Sequence, residues 1–287
     1  MKKILGLLLV TLSLLSIGCT SSSTTDKPIL SVSLLPQKYF LEQIVGDLAE
    51  VHVLVPYGNN PEYYDPVPRD IAKLQDSRSF FAIGTLPFEQ QWIRALPDSV
   101  EVINLAERLP HDLIFEHDGE HAHTHIHGDP HYWTSLVGGK AMAEAILAAT
   151  IELFPENEAI LRDNYERNII PKFDEVKTLA EEVFGDSDSC AFVIYHPSLS
   201  LFASEWGLTQ LVIEENGLEP TPRHLVQLIE KAREMDTRAV LIQEEFDIKN
   251  AENIARELGI EPLTIQPLAE DWVSEMKRLI EVFRKKR

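Results

Sequence analysis

Strand-length apolar runs alternate along the chain with stretches whose apolar positions recur at helical spacing. The first such run begins at Ile29, and residues 38–48 after it have the helical pattern. Eight runs have strand character and are bounded by turn residues; they cover residues 29–34, 51–55, 80–84, 100–104, 191–195, 209–213, 239–243 and 262–265. Alternation of strands with helices is typical of parallel sheets, so the pattern predicts an α/β fold.

The predicted strands form two groups of four, separated by a segment that has only a helical pattern. This organisation predicts an N-terminal α/β lobe over residues 28–138, a helical connector over 139–185 and a C-terminal α/β lobe over 186–287. Pro155 and Pro171 divide this connector, because an interior proline removes a hydrogen bond and clashes with the preceding turn. Residues 156–184 could form a helix of about 40 Å. We therefore expect two Rossmann-like lobes with parallel sheets, joined by a long rigid helix.

The N-terminus has the pattern of a secretion signal over residues 1–18, with Lys2 and Lys3 ahead of a short apolar run. That run is too short for a helix that crosses a bilayer, which needs about 20 residues. Residues 16–19 resemble a bacterial lipobox, which implies that Cys19 carries the lipid. The alternative is an ordinary signal peptide that is cleaved nearby. Residues 19–27 are polar and predict a flexible tether, so we expect a protein outside the cytoplasm, held to a bacterial membrane only through this lipid.

The composition is strongly acidic, with 46 Asp and Glu against 26 Lys and Arg and a formal net charge of −20. Such a surface argues against nucleic acid as a partner, because phosphates are bound by cationic faces. Cys190 is the second of two cysteines. Lipidation of Cys19 would leave Cys190 without an internal disulfide partner.

Seven of the ten histidines lie between Asn104 and Trp133, most of them in a loop predicted over residues 111–128. The seven are His111, His117, His121, His123, His125, His127 and His131. Imidazole is a ligand for zinc, copper, nickel and iron, and short His-rich tracts are typical of metal binding. We interpret the loop as a device that gathers metal ions, with a pH-responsive or merely tolerated surface loop as the alternative.

Two other features place single histidines next to predicted element ends. His131 belongs to Asp129-Pro130-His131-Tyr132-Trp133, directly before a helix, and His196 follows the strand predicted at 191–195. Ligands of open α/β sheets bind beyond the carboxyl ends of strands. One such histidine alone is more often structural. Two of them, one in each lobe, together with the His-rich loop, favour a role as metal ligands.

These motifs, together with Pro61-Glu62-Tyr63-Tyr64-Asp65-Pro66-Val67-Pro68 and the segment 202–208, resemble one known family. The chain is similar, over nearly its whole mature length, to the zinc- and manganese-type receptors of ABC importers (ZnuA-like, cluster A-I). The resemblance implies a binding protein without enzymatic activity, which captures zinc and delivers it to a membrane permease. It also implies a monomer with limited lobe movement.

Position by position, the resemblance implies the ligand set Glu62, His131 and His196, with Glu62 where the family has a histidine. Two imidazoles and a carboxylate suit zinc, and the carboxylate also admits manganese or iron. The alternative for Glu62 is a solvated loop residue. For a fourth ligand, where some members have aspartate, the candidates are water, Gln266, Glu244 and Glu245; the two glutamates also fit a helix start.

Two other functions remain open from the sequence. Two His, one Glu and a water are also the ligands of a catalytic zinc, so a zinc-dependent hydrolase is the alternative. The chain lacks the His-Glu-x-x-His motif of zinc proteases. The other possibility is an adhesin or a metal-buffering surface lipoprotein.

Overall fold

The computed structural model describes residues 27–61, 64–114, 130–185, 190–215, 217–244, 246 and 249–284. All eight predicted strands are confirmed, with every end within two residues of its predicted position. They are β1 (Ile29–Val32), β2 (Glu50–Val53), β3 (Ser79–Ala82), β4 (Glu101–Asn104), β5 (Ala191–Ile194), β6 (Thr209–Val212), β7 (Thr237–Gln243) and β8 (Leu263–Ile265). The predicted signal peptide with Cys19, and the His-rich segment from 115 to 129, lie outside the described residues.

Helices connect the strands and the two lobes. They are α1 (Leu35–Val45), α2 (Pro68–Gln75), α3 (Glu89–Ile93), α4 (His111–Ile114), α5 (Leu136–Leu153), α6 (Glu158–Asn168), α7 (Ile170–Phe184), α8 (Ser200–Glu205), α9 (Pro222–Glu234), α10 (Lys249–Leu258) and α11 (Trp272–Val282). Among the described residues, no helix is both long and apolar enough to cross a membrane.

Each lobe contains a four-stranded sheet in which every strand pair is parallel. The strand orders are β2-β1-β3-β4 and β6-β5-β7-β8, so both lobes repeat one topology. The register pairs Val32 with Val53 and Phe81 in the first sheet, and Ile194 with Val212 and Leu241 in the second. Because all strands of a sheet run the same way, their carboxyl ends and the loops that follow share one edge. This arrangement confirms the predicted two-lobed α/β fold.

The lobes share one hydrophobic core. In β5, Phe192 and Ile194 face a buried cluster that continues through the connector into the N-terminal lobe, whereas Ala191 and Val193 pack on the opposite face of their sheet. This separation follows from the period of two in a strand. A core that crosses from lobe to lobe opposes hinge opening, because opening would expose apolar surface to water.

The connector is divided near Pro171, as the sequence predicts, so residues 156–184 do not form the one continuous helix that their length allows. That helix is interrupted at Ile169, between α6 and α7. Pro171 lies in the first turn of α7, where its missing N–H needs no partner and its ring clashes with no preceding helical turn. The connector remains rigid, since Phe173 of α7 contacts Phe40 of α1 and Trp272 of α11 at ring-centroid distances of 5.6 and 5.2 Å.

Candidate metal centre

His131 and His196 meet in the cleft between the lobes. Their Nε2 atoms lie 3.3 Å apart, and the rings are nearly perpendicular at 86°. Both residues are buried, at 6% and 9% exposure. Two nitrogens that are each bound 2.0–2.1 Å from a tetrahedral zinc lie about 3.3–3.4 Å apart. The two imidazoles therefore already have the spacing of two ligands on one zinc ion.

The position of His131 is fixed by the short turn that leads into α5. Thr85 of the N-terminal lobe donates a hydrogen bond to the carbonyl of Pro130 at 2.8 Å. Thr134 donates to the carbonyl of Ser198 in the C-terminal lobe at 2.6 Å. Contacts with both lobes thus hold the segment that contains His131.

His196 leaves the carboxyl end of β5, as the sequence predicts, and several contacts fix its ring. Its backbone N–H donates to Oε1 of Gln243 at 2.9 Å. One face of the ring stacks on Phe246, with centroids 5.0 Å apart and planes 15° apart. Nδ1 lies 3.1 and 3.2 Å from the two carboxylate oxygens of Glu214. These contacts leave Nε2 directed at His131.

A small cavity of about 30 Å³ adjoins the two rings. This volume holds about two waters, since one water needs roughly 10–15 Å³ by the same measure. Its lining includes Asn60 and Pro61 of the loop after β2, together with Phe246 and Pro267. The cavity therefore suits an ion with one or two waters rather than an organic molecule.

The structure does not place the third predicted ligand. Glu62 lies outside the described residues, although its neighbour Pro61 lines the cavity with both histidines. Within the described part of the chain, no set of three His, Cys, Asp or Glu side chains could hold a metal ion together. The role of Glu62 thus stays a prediction.

Two of the candidate fourth ligands form a bridge between the lobes. The hydroxyl of Tyr57 donates to Oε2 of Glu244 at 2.7 Å and accepts from Nε2 of Gln266 at 2.7 Å. Nε2 of Gln266 also donates to Oε1 of Glu244 at 3.0 Å. The hydrogen bond from Tyr57 is the main cause that lowers the pKa of Glu244. Glu245, the remaining residue candidate, lies outside the described residues.

Sequence reasoning missed two acidic residues, Glu214 after strand β6 and Glu89 at the start of helix α3. Glu214 follows β6 and contacts His196, but the sequence does not show that β6 lies beside β5. Glu89 is 1% exposed and accepts hydrogen bonds from the backbone N–H groups of Ile83 and Gly84, at 2.7 and 2.8 Å, and from the Ser33 hydroxyl. Burial raises the pKa of Glu89 to about 7, against these hydrogen bonds. A glutamate so placed holds the loop after β3 in position. The sequence around Glu89 does not indicate that its side chain is buried.

Two α/β lobes with a shared core and a histidine pair in the cleft define a metal-binding protein of the two-lobed receptor class. Residues 31–286 match the family model described as zinc-uptake complex component A, periplasmic (ZnuA), and the chain belongs to that family.

Relatives agree with this assignment. The high-affinity zinc uptake system protein ZnuA of Bacillus subtilis is 27% identical over 272 residues, which cover 86% of this chain and 82% of that protein. The metal ABC transporter substrate-binding lipoprotein SloC of Streptococcus mutans is 26% identical over 277 residues, or 91% of this chain and 88% of that protein. A crystal structure of ZnuA superposes with a TM-score of 0.79 and 33% identity, covering 89% of this chain and 97% of that one.

Proposed function

We propose that the protein is an extracytoplasmic receptor that captures zinc and delivers it to an ABC-type importer. The observation that carries this proposal is the 3.3 Å separation of Nε2 of His131 and Nε2 of His196, which are both buried between the lobes. Family membership supports the same function and gives no support to a zinc hydrolase.

Glu62 is the third protein ligand in this proposal, and water is the fourth. Pro61 on the cavity wall supports a position for Glu62 near the histidines. Glu244 and Gln266 are hydrogen-bonded to Tyr57, which favours water over either side chain as the fourth ligand. Because one ligand is a carboxylate, the site also accepts manganese or iron. Its two imidazoles bind zinc more tightly than either of these metals.

Capture needs little movement of the lobes, because they share a core. Both imidazoles must offer the lone pair of Nε2 to the metal, so two bonds to the ion replace the present contact between the two Nε2 atoms. The histidines of the 111–128 loop raise the local metal concentration. Deletion of residues 117–127 should therefore weaken uptake from scarce metal while one tight site remains. Loss of all tight binding in that deletion would move the site into the loop.

The proposal also places the protein outside the cytoplasm, attached to a bacterial membrane through lipid on Cys19 and acting as a monomer. Labelling with a radioactive fatty acid tests the attachment, and Cys19→Ser is expected to abolish the label.

Titration calorimetry of the wild type and Glu62→Ala, with zinc and then with manganese, tests which metal the protein binds. We expect tighter binding of zinc and a loss in Glu62→Ala. Tight manganese with weak zinc would keep the receptor and change its cargo.

A further inference from the structure

Glu214 is directed at the metal-distal edge of His196. The backbone ladder between β5 and β6 continues past both strands, with hydrogen bonds from Ile213 to the Ile194 carbonyl at 2.9 Å and from Glu214 to the Tyr195 carbonyl at 3.1 Å. Because successive residues of an extended chain face opposite sides, Ile213 enters the core while Glu214 faces the cleft. Strand pairing thus sets Glu214 beside the residue that follows Tyr195.

The carboxylate and the imidazole form a nearly dry pair. Their side chains are 10% and 11% exposed, and both carboxylate oxygens lie within 3.2 Å of Nδ1 of His196. No Lys or Arg of the described residues forms an ion pair with Glu214. An ionised carboxylate can only accept, so Nδ1 of His196 is the donor. The other tautomer would set the Nδ1 lone pair against two oxygens that also carry lone pairs.

We propose that Glu214 is a positioning residue, which holds the Nδ1–H tautomer of His196 and thereby presents the Nε2 lone pair to the metal. This inference rests on the proposed function of His196 as a ligand. A carboxylate behind a ligating imidazole fixes its orientation and raises its basicity, and loss of such a group typically weakens metal binding by about 10- to 100-fold. Phe246 on the ring face sets the plane, and Glu214 sets which nitrogen carries the proton.

The test compares the wild type, Glu214→Gln and Glu215→Gln, because Glu215 offers a matched loss of charge one residue away. Its carboxylate accepts from Thr221 at 3.1 Å and makes no contact with His196. Zinc affinity is measured by competition with a chelator. Glu214→Gln is expected to bind zinc about 10- to 100-fold more weakly, while Glu215→Gln stays within about twofold of the wild type.

Nitrogen NMR of the metal-free wild type and of Glu214→Gln gives a second readout, the tautomer of His196. At a pH where imidazole is neutral, His196 is expected as the Nδ1–H tautomer, with the Nε2–H form gaining population in Glu214→Gln. The Nε2–H tautomer in the wild type, or equal zinc affinities of Glu214→Gln and Glu215→Gln, would overturn the inference. Zinc binding that does not depend on His196 would instead overturn the proposed function.

Discussion

The indole N–H of Trp272 donates a hydrogen bond to the backbone carbonyl of Trp133 at 2.6 Å, although 139 residues separate them. The indole of Trp133 in turn donates to the carbonyl of Pro267 at 3.1 Å. Both bonds join the segment that contains His131 to the C-terminal lobe. The spacing between His131 and His196 is therefore set by a direct link between the lobes as well as by the sheets.

A substitution at Gly139 tests how tightly Trp272 packs in this link between the lobes. A Cβ atom at Gly139 would lie 2.4 Å from Cζ2 of Trp272, so Gly139→Ala should force the indole to move. We expect the free energy of unfolding to fall by about 1–3 kcal/mol, as for other overpacked cores. Helix propensity alone predicts the opposite sign, a gain of about 1 kcal/mol for this change in a helix. Urea denaturation decides between them, and an unchanged or higher stability would contradict the packing described here.

A substitution at Tyr57 tests whether the bridge between the lobes helps to retain the metal. Tyr57→Phe removes the hydroxyl that contacts Glu244 and Gln266, whose neighbours Gln243 and Pro267 line the metal cavity. We expect zinc to dissociate about three- to tenfold faster, the effect of one or two net hydrogen bonds. Stopped-flow transfer of zinc to a chelator measures this rate.

Tyr39→Phe is the matched control for that experiment. The Tyr39 hydroxyl accepts from Lys172 at 3.0 Å, at the contact between α1 and α7. Its loss should leave zinc dissociation unchanged. Equal rates in the wild type and both variants would show that the bridge has no part in retaining the metal.

The raised pKa of Glu89 leads us to expect that the stability of the protein depends on pH. Its native pKa of about 7 exceeds the value of 4.5 expected in the unfolded chain, so the native state binds more protons between these pH values. The contribution of Glu89 to stability is therefore greatest below pH 4.5 and is lost as pH rises through about 7, by about 3 kcal/mol in all.

Denaturation of the wild type and Glu89→Gln at pH 5 and pH 8 isolates this effect, because the other titrations cancel in the comparison. The stability of the wild type relative to Glu89→Gln should decrease between the two pH values. A constant difference would mean that Glu89 has an ordinary pKa in the native protein.

Much of the fold was predictable because strand and helix periods are local properties. Phe192 and Val193 show the limit, since both are apolar and both are buried, yet they face different cores. Strand order is a long-range property, and no local pattern shows that β5 lies between β6 and β7. The break in the connector could be predicted from Pro171, but its position at Ile169 depends on where the second helix begins.

The histidine pair could be predicted because His131 and His196 occupy element ends, where ligands gather. Glu214 could not, because its role depends on the pairing of β6 with β5. The same holds for Gln266, whose hydrogen bond to Tyr57 across the cleft no local pattern predicts. Contacts between side chains far apart in sequence are thus the part of the site that the structure adds.

The most direct test of the account is calorimetric zinc titration of the wild type, His131→Ala, His196→Ala and His224→Ala. His224 is the matched control, since its Nε2 lies 3.1 Å from the carbonyl of Val212 and outside the cleft. The account predicts one tight zinc site in the wild type and His224→Ala, and a large loss of affinity in each of the other two variants. Tight binding that survives both His131→Ala and His196→Ala would contradict it.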